Sequence, residues 1–140
     1  MKKIFGIVVC LMFTNLIAKP ITDVKGTKEL CGKAAMEFGK GNYKESFNLT
    51  KPYSVVPSEE LDNAAYQTEN ALKRLSSRFG KPIGSEFLKT EVAGSSVLKH
   101  TYIGKFENTA ARYMCIFYKA EDKWNLQGVS WDDKLFLLFR

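Results

Sequence analysis

His100 is the single histidine of the chain. An imidazole titrates near neutrality, so it can move a proton at physiological pH. In an extended segment it shares a face with Leu98 and Tyr102 by simple alternation. Asp132 and Asp133 add carboxylates near the end of the chain. Adjacent strand residues point to opposite sides, so only one of the two could face a given pocket. His100, Tyr102 and Asp132 together would suit proton-transfer chemistry of the isomerase or dehydratase type. The competing reading makes His100 a strand residue packed beside Tyr102, and the aspartates a turn or cap. Tyr102, Tyr113 and Trp131 could line a pocket for a small apolar ligand. At period-two spacing the same aromatics also build a core, which is their commoner use.

Cysteine chemistry depends on where the chain goes. Met1-Lys2-Lys3 is positive, residues 4–13 form an apolar run, and Leu16-Ile17-Ala18 ends on a small residue. This is the three-part pattern of a secretory signal peptide over 1–18, cleaved after Ala18. The apolar stretch up to Ala18 is shorter than the roughly twenty residues that cross a bilayer, so no stable membrane span is expected after cleavage. Cys10 leaves with the leader, and Cys31 and Cys115 enter an oxidising compartment, periplasmic or extracellular. They either form one disulfide or remain two buried thiols. A bridge would close a long loop and contribute about 4 kcal/mol.

The elements that must position these groups follow from periodicity. Residues 19–26 are polar and expected to be loose. Leu30, Ala34, Ala35 and Phe38 recur at helical spacing, and Gly39-Lys40-Gly41-Asn42 stops that helix. A second short helix from Tyr43 completes a helical hairpin over 27–50. Leu61, Ala65, Thr68, Leu72, Leu75 and Phe79 then make one apolar seam, which predicts a long helix over 58–79. Ser58 is its expected N-cap, and Gly80 with Pro82 ends it. After Gly84 the period becomes two, predicting strands at 86–92, 97–106, 111–119 and 124–131 joined by short turns. Such turns join antiparallel neighbours, so the fold class is α+β, with helices preceding a four-stranded antiparallel meander over 86–131. One sheet face is expected to pack on the seam of the long helix. Tyr113, Cys115 and Phe117 alternate with Met114, Ile116 and Tyr118, so the third strand is expected to be covered on both faces. Residues 135–139 are either an edge strand or a short closing segment.

The stretch RFGKPIG at Arg78–Gly84, followed by HTYIGKF, YMCIFYK and WNLQGVSWDD, resembles small secreted bacterial proteins of the NTF2-like (cystatin-like α+β) group. That resemblance implies a single domain over 19–140, with a curved sheet wrapped on a long helix to form a cone. In that group the open end of the cone often holds a small apolar ligand or an active site. No catalytic motif of the group aligns with this sequence.

Composition narrows the function further. The chain has 140 residues, is 45% apolar, and carries 21 basic against 15 acidic residues. Losing Lys2 and Lys3 with the leader lowers the formal charge from +6 to +4. Its densest basic cluster, Lys73, Arg74, Arg78 and Lys81, suits the negative end of a helix dipole and makes no nucleic-acid stripe. One histidine and no CxxC leave no zinc set, and no nucleotide-binding or hydrolase motif is present, so no cofactor is expected. The sequence therefore favours an exported binding or accessory protein over an enzyme. Its partner would be a small apolar ligand or an envelope protein. An isomerase or dehydratase, and an inhibitor or immunity-type protein, are the alternatives.

Overall fold

A computed structural model describes residues 19–140; the expected leader, 1–18, lies outside the described residues. The order is α1 (Val24–Gly39), α2 (Tyr43–Thr50), α3 (Ser58–Arg74), α4 (Ser76–Phe79), then β1 (Pro82–Ala93), β2 (Val97–Phe106), β3 (Ala110–Ala120) and β4 (Lys123–Asp132). The strands form one open antiparallel sheet in chain order, so the α+β class is observed. A final 3-10 turn, Leu135–Phe139, closes the chain, so this apolar run is not a strand.

α1 begins earlier than the spacing predicts. The Asp23 carboxylate accepts from the Gly26 backbone N–H at 2.7 Å, which caps the helix. Just before it, Ile21 is buried and pairs with Trp124 on the outer edge of β4. The segment expected to be loose is therefore tied to the sheet, because an apolar side chain has a strand edge to cover.

α1, not the longest helix, lies along the sheet against β1, β2 and β3. Its buried face is made of Thr27, Leu30, Cys31, Ala34, Ala35, Phe38 and Gly39. Small residues let the backbones approach: a Cβ on Gly39 would stand 2.3 Å from the Gly84 carbonyl oxygen. α3 instead packs mainly on α2 and touches the β4 border of the sheet, where Trp131 Nε1 donates to Thr68 Oγ1. There Leu61 and Ala65 cluster with Phe47 and Val129. The apolar seam of α3 is buried, at Leu61, Ala65, Thr68 and Leu72, but its main partner is α2 and not the sheet.

The long helix also breaks. α3 ends at Arg74, Leu75 leaves helical geometry, and α4 makes one further turn. Ser76 and Ser77 are poor helix formers, and the break swings Phe79 into the core against Phe106, with ring centroids 5.1 Å apart. Ser58 is not a cap: its side chain makes no capping bond, and the Pro57 carbonyl accepts from Glu60 and Leu61. The second face of β3 is covered only in part: Met114 is buried there. Tyr113, Cys115 and Phe117 are buried under the helices, whereas Ile116 and Tyr118 are exposed on the other side. The closing turn contacts β3.

Candidate functional site

His100 sits in the middle of β2, opposite Thr90 on β1 and Cys115 on β3. It is fully buried beneath α1, with its ring edge-on to Phe117. Both ring nitrogens have threonine partners: Nε2 is 2.8 Å from Thr27 Oγ1, and Nδ1 is 2.7 Å from Thr90 Oγ1. The tautomer follows from proton counting. Thr27 Oγ1 donates its one proton to the Val24 carbonyl at 2.6 Å, so Nε2–H must donate to Thr27. Nδ1 is then the acceptor for the Thr90 hydroxyl, and the imidazole is neutral. Burial, with Lys28 nearby, pushes its pKa down from the ordinary 6.5 to about 4. This is a saturated structural histidine with no free lone pair for a substrate.

A stability prediction follows. Between about 4 and 6.5 the unfolded chain binds a proton that the folded chain does not. This contribution to stability is complete above 6.5 and is lost as pH falls towards 4, by about 3 kcal/mol in total. Urea unfolding across that window should show the decline, and His100→Gln should remove it. A wild-type profile as flat as that of the variant would refute the assignment.

The three aromatics named from sequence share one row. Tyr102 opposes Tyr113, which opposes Trp131. Their polar atoms are all taken by the helical layer. Tyr102 Oη donates to the Lys28 carbonyl at 3.1 Å, Tyr113 Oη bonds Ser46 Oγ at 2.9 Å, and Trp131 Nε1 donates to Thr68 Oγ1 at 2.9 Å. Burial raises the pKa of both tyrosines. Phe38 of α1 fills the space between them, 5.1 Å from Tyr113 and 6.0 Å from Trp131 by ring centroids. The row is part of the core contact between the helices and the sheet.

Asp132 lies on the other face of the sheet. It opposes Arg112, whose Nε donates to Oδ1 at 2.8 Å and whose second nitrogen bonds Oδ2. That fork holds the Asp132 pKa below the usual carboxylate range. Asp133 pairs instead with Arg78. His100 and Asp132 are thus on opposite faces, and the expected proton-transfer set is not brought together.

Cys31 and Cys115 do meet, in disulfide geometry, with sulfurs 2.11 Å and Cα atoms 6.0 Å apart. They join α1 to β3 beside His100. Among the described residues no group of His, Cys, Asp and Glu could hold a metal, and no helix is long and apolar enough to cross a membrane.

Two surface grooves stand out among the described residues. One, of about 410 Å³, lies between the Pro20–Asp23 segment and α1, next to Glu29, Lys33 and Tyr53. The other, of about 490 Å³, lies between α2 and α3 and is lined by Lys44, Asn48, Lys51, Asp62, Tyr66 and Glu69. Neither is lined by His100, Tyr102, Tyr113, Trp131 or Asp132. Sequence reasoning missed Thr27, Thr90, Ser46 and Thr68, the partners that saturate the site; only Thr68 gave a signal, as one member of the apolar seam.

No family model matches the chain, and no curated protein sequence matches it. Among solved structures it is similar to a DUF4783 family protein from Bacteroides uniformis ATCC 8492. The identity is 13%, the TM-score 0.42, and the match covers 76% of this chain and 95% of that one.

Proposed function

We propose that the chain is an exported binding or accessory protein of the NTF2-like (cystatin-like) kind, working through its outer surface and not through a pocket inside the sheet. The observation that carries this reading is the Tyr102–Tyr113–Trp131 row, whose every polar atom is bonded to a helix and whose Tyr113 and Trp131 rings are packed on Phe38. A space already filled holds neither a ligand nor a substrate, which favours an envelope protein as the partner over a small apolar molecule. The neutral, doubly bonded His100 and the Arg112-clamped Asp132 give an isomerase or dehydratase no proton shuttle. Export is supported by the leader pattern at 1–18 and by the Cys31–Cys115 pair.

Native mass spectrometry of the periplasmic fraction, after expression of the full sequence in a Gram-negative bacterium, tests both parts. The expected species begins at Lys19, lacks two hydrogens relative to the dithiol, and retains no small molecule. A reduced chain with an intact leader in the cytoplasm would count against export. An apolar molecule that survives purification would count against the surface reading.

A further inference from the structure

The two edges of the sheet are not equivalent. β4 is covered where Ile21 pairs with Trp124 and Ser54 with Leu126. Among the described residues, β1 is a twelve-residue strand paired on one side only, with β2. An uncovered strand presents free backbone donors and acceptors to any strand of matching pattern. β1 also exposes apolar side chains, Ile83 at 62% and Val92 at 61%, with Phe87 at 36% between them.

We propose that β1 pairs with β1 of a second copy of this chain, antiparallel, about a two-fold axis between Phe87 and Leu88. The register is argued from charge and face. In that alignment Glu86 of each copy opposes Lys89 of the other, and Ser85 opposes Thr90. Paired positions must lie on the same face of a continuous sheet. Glu86 and Lys89 oppose Ile103 and Thr101 of β2 on one face, and Ser85 and Thr90 oppose Gly104 and His100 on the other. An uninterrupted strand could not match residues of odd and even number in this way. The register shift between Phe87 and Lys89 makes Leu88 an extra residue and restores the match.

Neighbouring registers are worse. Moving one strand by two residues sets Glu86 against Glu91. Moving it the other way leaves Glu86 against Phe87 and Lys89 against Gly84. Lysines and bulges normally guard strand edges against foreign strands. Here Lys89 repels a strand that carries a basic residue opposite it, whereas its own reversed copy offers Glu86. The contact would be isologous, each surface meeting itself. Within one chain Glu86 pairs with Lys105 at 3.1 Å and Lys89 with Glu91 at 3.5 Å, so both charges already lie extended on the sheet.

Sedimentation equilibrium of the disulfide-bonded protein, produced from its full sequence, reads the outcome. The wild type should follow a monomer–dimer equilibrium. Glu86→Lys and Lys89→Glu should each raise the dissociation constant by at least about tenfold, because each places like charges opposite twice. The double reversal restores opposite pairing and should return the constant to within about threefold of wild type. Val92→Lys, at the exposed end of the strand, should weaken the dimer as well. Circular dichroism confirms that each variant is folded. A wild type that stays monomeric at millimolar concentration overturns the proposal. So does a dimer that ignores both single reversals, or one that the double reversal fails to rescue.

Discussion

Replacing Cys31 and Cys115 by alanine is expected to lower stability by about 4 to 5 kcal/mol, the loss of a cross-link closing a loop of 84 residues. The effect acts mostly on the unfolded chain, which becomes free to expand, so the denaturant dependence should steepen as the midpoint falls. Urea unfolding with and without reductant measures it: the wild type should move to the variant's midpoint on reduction, and the variant should not respond. Equal wild-type midpoints in both conditions would rule out the bridge. The bridge has a neighbour that sharpens the test. Thr27 and Cys31 stand one turn apart on α1, while their partners His100 and Cys115 oppose each other on β2 and β3. Two adjacent links therefore fix α1 to the sheet, one covalent and one sensitive to acid. Reduction and acidification together should cost more than either alone. Small domains commonly have only about 5 to 15 kcal/mol in hand, so the reduced protein should unfold at mildly acidic pH.

Much of this fold was legible because its signals are local. The bounds of β2 follow from alternation between a Gly-Ser-Ser turn and an Asn-Thr turn, and they match at both ends. The stop after α1 and the proline-bracketed start of α3 are similarly local. What a seam packs against is not local. The α3 seam is the more conspicuous, yet α1 takes the sheet because Ala34, Ala35 and Gly39 allow a closer approach. No periodicity rule compares two helices for the same surface. The candidate site shows the same divide. Alternation put His100 and Tyr102 on one face, as observed, and set Asp132 and Asp133 apart. It could not supply Thr27, which lies 73 residues from His100, or Ser46, 67 residues from Tyr113. Those hydroxyls turn a set of reactive types into a saturated core.

Phe38→Ala is expected to be the most damaging single truncation, at about 3 to 5 kcal/mol. Phe38 is fully buried, and its ring meets Tyr113 at 5.1 Å, Tyr43 at 5.2 Å, Trp131 at 6.0 Å and Phe106 at 6.4 Å between centroids. Removing it empties a space walled by four rings held from several elements, and two of those rings are further pinned by hydrogen bonds to Ser46 and Thr68. Such walls collapse poorly, which places the cost towards the upper end of the range for a truncated aromatic. The sheet side of this contact is Gly104 on β2. A Cβ there would stand 2.5 Å from Phe38 Cε1 and 2.6 Å from Cδ1. Gly104→Ala alone should therefore overpack the core and cost about 1 to 3 kcal/mol. The two substitutions oppose each other, since the alanine methyl enters the volume that the lost ring leaves. The double variant should be more stable than the sum of the single losses by at least about 1 kcal/mol. Urea unfolding of the four proteins, disulfide intact and at neutral pH, closes the cycle; strict additivity would mean that Gly104 is not there to admit the Phe38 ring. Should Phe38→Ala fail to fold, Phe38→Leu tests the same coupling from a smaller cavity.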